Sequence, residues 1–412
     1  MIKLLHAADL HLDSPFSGLS PEQAAARRKE QRELPAKLAE LCRIHGCDAL
    51  LLAGDVFDGE SVAPETVEAL LAAFAACPCP VFLAPGNHDP LSAASPYRTE
   101  RWPVNVHIFA SRAISPVELP EQHCRVFGAG FESAYESGLL GGFSAPQDGW
   151  VNVMVLHGDA LNPNSPYNAI TKEQIAASGL RYLALGHIHQ ASGLLRAGHT
   201  AYAWPGCAMG RGFDELGEKG AYLVTLTDSD CSLEFLPLGG RSYEILRVPA
   251  GDDAAAALDA ALPPDAARDI YRVILTGEAA RPDLNALYAR FAPRVFSLTF
   301  RDETTPKRDL WAGAGEDTLR GLALGKLQAD YDNAPDDAAR RTAALDSADD
   351  SCVKPAVLTV EGMKHILHFR ALGGLVHGAG AFHDRKRCLF YKGFYVALFG
   401  EKKRAYHREV LP

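Results

Sequence analysis

The stretch that decides the fold is Lys3-Leu4-Leu5-His6-Ala7-Ala8-Asp9-Leu10-His11, an apolar run that ends in two residue types that bind metals. The run Lys3–Ala8 predicts a β-strand. Because side chains alternate at period two along a strand, Asp9 and His11 are expected to point to the same side. In open α/β sheets, ligands bind beyond the carboxyl ends of the strands, which is where this pair lies.

Four further clusters of this kind follow, each directly after an apolar, strand-like run. They are Gly54-Asp55 after Ala49–Ala53, Gly86-Asn87-His88-Asp89 after Val81–Ala84, His157-Gly158-Asp159 after Val151–Leu156, and Gly186-His187-Ile188-His189 after Tyr182–Leu185. Glycine allows the backbone to turn sharply at such a position. One cluster alone is a weak signal, but five in order at strand ends predict one shared site.

The residue types in these clusters indicate metal chemistry. Carboxylates, an amide oxygen and four imidazoles form a mixed oxygen and nitrogen set, which suits manganese, iron or zinc better than an all-oxygen magnesium cage. A shared carboxylate could bridge two ions. We therefore expect two divalent metal ions, with Mn²⁺ as the first choice.

Composition limits the class of protein. A chain of 412 residues, 47% of them hydrophobic, can bury the cores of two or three domains. The start shows no basic, apolar leader and no segment has the apolar length of a membrane span, so we expect a soluble, cytoplasmic protein. The formal charge of −10 counts against DNA as a substrate unless metals or a partner supply positive charge. Nine cysteines without a metal-finger spacing are expected to be free and mostly buried.

Alternating strand-like and helical segments predict an α/β first domain over residues 1–240. One helical stretch is expected over Pro21–Ile44 with Ser20 as its N-cap, and another over Pro64–Ala76. A hairpin of Tyr222–Leu226 and Leu233–Leu236 is expected to close the domain.

The remaining chain divides into three parts. Residues 241–305 predict a small α+β domain, and residues 306–350 a helical and charged segment with helices over Glu316–Asp332 and Pro335–Asp346. Residues 351–412 form a basic tail of unknown role, either a remnant of another domain or an unrelated extension. Because the chain lacks Gly-x-x-x-x-Gly-Lys-Ser/Thr, we expect it not to bind ATP.

The ordered clusters resemble the calcineurin-like metallophosphoesterases, with every ligand position filled. More narrowly, Asp9–Phe16, Gly86–Ser92, Leu185–Gln190 and Pro205-Gly206 look like the DNA repair exonucleases of SbcD and YhaO type, over roughly residues 1–300. The resemblance implies a layered β-sandwich core flanked by helices, with residues 241–305 as a DNA-capping domain. It also implies an SMC-like ATPase subunit as partner, docked through the helical segment that ends at Asp346, although solvated helices would have the same composition.

The resemblance also implies a role for each site residue. One metal is expected on Asp9, His11, Asp55 and His189, and the second on Asp55, Asn87, His157 and His187, so that Asp55 bridges the ions. His88 is expected to stabilise the transition state or protonate the leaving oxygen. Asp58 is expected to orient His88, or else only to cap the following helix. Arg211 or Lys219 could contact substrate phosphates, or could simply belong to a surface turn.

The function implied is a metal-dependent phosphodiesterase acting as a DNA exonuclease or endonuclease in DNA repair, by two-metal, in-line hydrolysis of phosphodiester bonds. Two alternatives stay open. One is a phosphodiesterase for small nucleotide-type substrates, which the acidic composition favours. The other is a non-catalytic scaffold for an SMC-like ATPase, against which the complete ligand set argues. DNA is the expected macromolecular partner, and a homodimer is left open.

Overall fold

The structure is a computed structural model that describes residues 1–306, 310–335, 340, 356–358, 382–384 and 387–390. Residues 1–305 form one compact unit and residues 306–412 a second, and each is treated by itself. Within the described residues, helices are too short or too polar to cross a bilayer.

The first unit contains two six-stranded sheets. Sheet one has the order β12-β11-β1-β2-β3-β4, in which β1 to β4 are parallel and β11 and β12 antiparallel. Its strands are β1 (Ile2–Ala7), β2 (Ala49–Leu52), β3 (Val81–Leu83), β4 (Val106–Ile108), β11 (Gly220–Leu226) and β12 (Cys231–Pro237). The expected closing hairpin is therefore β11 and β12, and it pairs with β1.

Sheet two has the order β5-β6-β7-β8-β10-β9, with a parallel centre and an antiparallel strand at each edge. Its strands are β5 (Ser115–Leu119), β6 (Cys124–Gly128), β7 (Val151–His157), β8 (Tyr182–Gly186), β9 (Leu195–Ala197) and β10 (Thr200–Ala203). Of these only β7 and β8 were predicted from the sequence.

Alternation along the strands divides the apolar side chains among three layers of core. Leu5 and Ala7 of β1 pack toward the helices, whereas Ile2 and Leu4 pack toward sheet two. A third cluster covers the outer face of sheet two and includes Ile175 of helix α5 (Lys172–Ala177). The layered β-sandwich flanked by helices is thus confirmed.

The helical stretch predicted over Pro21–Ile44 is two helices, α1 (Pro21–Arg32) and α2 (Leu34–His45). Pro35 lacks an N–H, and its ring crowds the preceding turn, so one continuous helix is broken there. Ser20 does cap α1, in a reciprocal pair with Gln23.

Two further helices follow in the chain. Helix α3 (Pro64–Ala75) begins as expected, and α4 (Pro96–Thr99) is a single turn. Asp13 anchors the start of α3, because it accepts hydrogen bonds from the Ala63 N–H at 2.8 Å and the Thr66 hydroxyl at 2.7 Å.

Residues after the hairpin form a separate three-stranded sheet with its own core. Strands β13 (Tyr243–Pro249), β14 (Ile270–Thr276) and β15 (Ser297–Asp302) are parallel, and helices α6 (Ala254–Ala261) and α7 (Leu284–Phe291) connect them. Asp253 and Asp283 cap the two helices through two backbone N–H groups each.

The second unit contains helix α8 (Leu319–Asp332), inside the range predicted from Glu316. Three short strands, β16 (Ala356–Leu358), β17 (Phe382–Asp384) and β18 (Arg387–Phe390), form an antiparallel sheet. The predicted helix over Pro335–Asp346, and the tail apart from these strands, lie outside the described residues.

Candidate metal centre

All five predicted clusters meet beyond the carboxyl ends of β1, β2, β3, β7 and β8. The backbone that places Asp9 and His11 differs from the prediction. Strand β1 ends at Ala7, so strand alternation does not orient these two side chains. Both residues instead have left-handed backbone, with φ of 51° and 45°. Asp55 and His187 share this conformation, with φ of 49° and 88°. Residues other than glycine rarely adopt it, and such strain is concentrated at functional sites.

Two glycines make room for the ligand side chains. A Cβ at Gly54 would lie 2.3 Å from His157 Nδ1, and Gly54 also has a positive φ of 87°. A Cβ at Gly86 would lie 2.2 Å from Asp55 Oδ1. Both distances are far below a real contact, so these positions accept only glycine while the ligands keep their places.

One group of candidate ligands surrounds the rings of His11 and His189, which lie edge-on with centroids 5.0 Å apart. Their Nε2 atoms are 3.2 Å apart, and each Nε2 lies within 4.0 Å of an Asp9 oxygen. His189 Nδ1 donates to Glu215 Oε1 at 2.7 Å. The nearest carboxylate to His11 Nδ1 is that of Asp58, at 3.0 Å, although the direction falls short of a hydrogen bond. Both neighbours favour the tautomer with the proton on Nδ1, which leaves an Nε2 lone pair on each ring.

A second group lies beside the first. His157 Nδ1 donates to the Ala53 carbonyl at 2.8 Å, so its Nε2 is a lone pair facing Asn87 Oδ1 at 2.9 Å and Asp55 Oδ2 at 3.4 Å. His187 Nδ1 lies 3.1 Å from the same Asn87 oxygen. Asp55 borders both groups, since its Oδ2 is also 3.8 Å from His11 Nε2.

Burial keeps the imidazoles neutral, which metal binding requires. It lowers the pKa of His11 and of His187 to about 4, and it lowers the pKa of His157 as well. Burial together with the neighbouring Asp55 carboxylate raises the pKa of Asp9 well above its usual range. For Asp55, burial alone would raise the pKa, but the neighbouring rings of His157, His11 and His88 and the hydrogen bond from the His88 N–H outweigh it and lower the value.

The donor set fits divalent cations. Where the tautomers are set by outer partners, lone pairs converge: His11 Nε2 faces His189 Nε2, and His157 Nε2 faces Asn87 Oδ1, which is unfavourable unless a positive charge occupies the gap. The ligand atoms of Asp9, His11 and His189 lie within 4.8 Å of one another, as do those of Asp9, Asp55 and His157. Imidazole nitrogens with carboxylate and amide oxygens are a common set for transition metals.

His88 and Asp58 lie at the exposed side of these groups. The His88 side chain is 42% exposed, and its ring packs edge-on against His11 with centroids 4.7 Å apart. The expected pairing of Asp58 with His88 is long, at 3.8 Å, whereas Asp58 is 3.0 Å from His11 Nδ1 and 2.8 Å from Arg211. Asp58 does not cap the following helix, whose N-cap position is Ala63 and which has no side-chain cap.

The two basic residues predicted at the site differ. Arg211 donates to Asp58 Oδ1 at 2.8 Å and to Glu215 Oε1 at 2.9 Å, and its Nη2 is 3.2 Å from His189 Nδ1. Its charge is therefore already matched by two carboxylates. Lys219 is half-buried, and its carbonyl accepts from the Leu238 N–H at 3.0 Å, outside this network.

Sequence reasoning missed two carboxylates that hold the site. Glu215, 5% exposed, accepts from His189 and from both the backbone and side chain of Arg211. Burial alone would raise the pKa of Glu215, but the bonds from His189 and Arg211 lower it. Asp89 accepts from the N–H groups of Val56, Phe57 and Gly86, and so ties two ligand loops together. The signal for Glu215 was an acid four residues after a site arginine.

Parts of this chain are similar to known proteins. Residues 2–191 match the family model described as calcineurin-like phosphoesterase. The chain is 33% identical over 258 residues to the uncharacterized metallophosphoesterase YhaO of Bacillus subtilis, a match that covers 60% of this chain and 61% of that protein. It is 33% identical over 120 residues to one of the subunits of the nuclease SbcCD of Rhodobacter capsulatus, 28% of each chain. The chain thus spans less than two thirds of the length of either relative.

Among solved structures, a dimetal phosphatase from Danio rerio is 10% identical, with a TM-score of 0.39, over 58% of this chain and 96% of that one.

Proposed function

Since residues 2–191 form a calcineurin-like phosphoesterase domain, of a family of phosphoester hydrolases with a dinuclear metal centre, we propose that this chain is a Mn²⁺-dependent DNA nuclease. The observation that carries the proposal is the convergence of His11, His189, His157 and Asn87 around Asp55, with their lone pairs facing inward. One metal would be held by Asp9, His11, Asp55 and His189, and the other by Asp55, Asn87, His157 and His187.

The ions, when bound, would neutralise phosphate charge and lower the pKa of a water that attacks phosphorus in line. The protein's own residues do the rest. Glu215 and the Ala53 carbonyl fix the tautomers of His189 and His157, so that lone pairs face the ions before any metal arrives. The exposed His88 ring stands next to the centre, where it can donate to a phosphate oxygen or protonate the leaving oxygen.

Arg211 and Asp58 support the site from one side. Because Arg211 is held by Asp58 and Glu215, we assign it to positioning His189 and His11 and no longer to direct phosphate binding. Asp58 then acts on His11 first and on His88 second. Lys219 remains as a candidate contact with the DNA backbone at the edge of the site.

Two features support DNA over a small substrate. One relative is named as part of a nuclease. The three-stranded sheet also contacts the segment that carries Arg211, since Arg272 stacks on Phe213 at 4.0 Å and Tyr243 packs against the same ring. A domain fixed beside the site could cap DNA there. Following the same relative, we propose an SMC-like ATPase as partner, which could supply the positive charge that this acidic chain lacks.

The test compares hydrolysis of linear single-stranded and double-stranded DNA with that of a generic phosphodiester ester, in Mn²⁺. His88→Ala is expected to lower DNA cleavage by roughly 10²-fold or more while the protein still binds metal. His199→Ala, an exposed histidine in the turn between β9 and β10, is the matched control and should keep full activity.

Each outcome has a clear meaning. DNA cleavage lost in His88→Ala and kept in His199→Ala supports the nuclease. Cleavage of the ester alone supports the small-substrate alternative and contradicts the DNA proposal. Inactivity on both substrates by metal-loaded protein points to the scaffold or to a missing ATPase partner.

A further inference from the structure

A second cluster of soft ligands lies at the opposite end of sheet one from the candidate metal centre. Cys42 is in the last turn of α2 and Cys47 precedes β2, while Cys77 follows α3 and Cys79 precedes β3. All four are buried in the core between the helices and the sheet. They gather at the amino ends of β2 and β3, whereas the ligands of the first site follow the carboxyl ends.

The sulfur atoms are close together. Cys77 Sγ and Cys79 Sγ are 3.8 Å apart, and the sulfurs of Cys42, Cys77 and Cys79 all lie within 4.8 Å of one another. Cys47 neighbours Cys42, but its sulfur is outside the group of three, so its side chain must turn toward them to act as a fourth ligand. All four cysteines are unbridged.

The backbone fixes each pair. At the end of α2, Gly46 has a left-handed φ of 60°, which turns the chain back so that the Cys47 N–H donates to the Cys42 carbonyl at 3.0 Å. Around the other pair, the Asn105 amide donates to the carbonyls of Phe74 at 2.9 Å and of Cys77 at 3.4 Å. Both turns are thus held before any ligand binds.

We propose that Cys42, Cys47, Cys77 and Cys79 bind one structural zinc ion. Four thiolates at about 2.3 Å from a tetrahedral zinc place neighbouring sulfurs about 3.8 Å apart, which is the separation of Cys77 and Cys79. That spacing is far longer than the roughly 2.05 Å of a disulfide. Soft thiolates select zinc over the hard cations that carboxylates attract.

The site would add a link between two neighbouring loops. Cys42 and Cys47 belong to the α2–β2 connection, and Cys77 and Cys79 to the α3–β3 connection. Four thiolates around Zn²⁺ carry a net negative charge, and the Lys3 ammonium, 3.2 Å from the His45 carbonyl, lies near Cys47 to offset part of it. The spacing Cys-x₄-Cys and Cys-x-Cys gave no hint of this, because the two pairs meet only in the folded chain.

The first measurement is zinc content of the full chain, purified without added metal, followed by release with a mercurial that modifies thiols. We expect about one zinc per chain to be released on thiol modification, because the candidate metal centre contains no cysteine. Replacing zinc by Co²⁺ should give the charge-transfer absorption of thiolate bound to cobalt. Both readouts use the unaltered protein.

The variants are Cys79→Ser and, as matched control, Cys124→Ser, a buried cysteine in β6 away from the cluster. Cys79→Ser should lose most of this zinc, and Cys124→Ser should keep it. The proposal is overturned if the unaltered chain releases no zinc on thiol modification, if Cys79→Ser keeps as much as Cys124→Ser, or if mass spectrometry finds the four cysteines joined in disulfides.

Discussion

Replacing Glu215 by glutamine removes one negative charge from the wall of the metal centre and changes its size little. The Glu215 carboxylate accepts three hydrogen bonds. They come from His189 Nδ1 at 2.7 Å, from the Arg211 backbone N–H at 2.7 Å and from the Arg211 side chain at 2.9 Å. Glutamine can offer only one oxygen to these donors. Its amide N–H₂ must therefore face either His189 or Arg211, and one of them loses its acceptor.

The loss has a predictable size. If His189 Nδ1 has no acceptor, the ring is free to rotate or to change tautomer, and its Nε2 lone pair no longer faces His11. Loss of such an outer partner typically weakens metal binding by roughly 10- to 100-fold, or about 1.4 to 2.8 kcal/mol. Glu215 is 5% exposed, so solvent cannot screen or replace these bonds.

Isothermal titration of the metal-free protein with Mn²⁺ measures this effect directly, and ester hydrolysis against Mn²⁺ concentration measures it a second time. Glu215→Gln should bind Mn²⁺ roughly 10- to 100-fold more weakly and recover activity at higher Mn²⁺. Glu218→Gln, an exposed acid three residues later, should match the unaltered protein. An unchanged Mn²⁺ affinity in Glu215→Gln would refute the positioning role, and so would an equal loss in Glu218→Gln.

Three other predictions concern pH, packing and metal removal. Burial lowers the pKa of His6 to about 3, although its Nε2 donates to the Leu185 carbonyl. Between this pKa and the value of about 6.5 for an exposed histidine, the unfolded state therefore binds a proton at His6 and the folded state does not. His6 should therefore contribute about 1.4 kcal/mol per pH unit to the fall in unfolding free energy below about pH 6.5, and His6→Gln should make the slope measured by urea denaturation shallower by that amount. Gly86→Ala, whose Cβ would meet Asp55 Oδ1 at 2.2 Å, should weaken Mn²⁺ binding at least tenfold by titration, whereas Gly59→Ala, with open space around it, should not. Chelation of both ions should lower the melting temperature, and Mn²⁺ at about 100 times its Kd should restore roughly 2.7 kcal/mol per site; an unchanged melting temperature would contradict metal binding by the folded state.

The candidate site could be predicted from the sequence because its residues follow strands, and strand ends in a parallel sheet converge whatever the loops do. The backbone conformation at the site could not be predicted from the sequence. Asp9 and His11 were expected to share a side by strand alternation, but they converge through left-handed backbone after β1 has ended. The positive φ at these residues depends on hydrogen bonds to other ligand loops, such as the bond from the Asp9 N–H to the Gly54 carbonyl. A local sequence pattern therefore does not predict it.

Some elements of the fold could likewise be predicted from the sequence and others could not. The five parallel strands that lead into the site were found, since each is a short apolar run bounded by turns. Edge strands such as β5 and β9 were missed, because they are partly exposed and their alternation is weak. Pro35 was visible in the sequence, yet the apolar periodicity continued across it and hid the break between α1 and α2. Glu215 was missed because its role depends on a contact with His189, which is distant in sequence.

The pairing of β1 with β11 has a consequence for biosynthesis. In this register Ile2 lies opposite Leu226. Strand β1 is synthesised first, and its partner β11 is synthesised more than half a chain length later. At about 5–20 residues per second, that delay is roughly 10–45 s. During it, one edge of β1 stays open to wrong pairing, and Glu215 is not yet present to orient His189. Metal loading of the complete centre is therefore expected only after the hairpin of β11 and β12 has left the exit tunnel, and a chain cut before Gly220 should neither fold fully nor hold both ions.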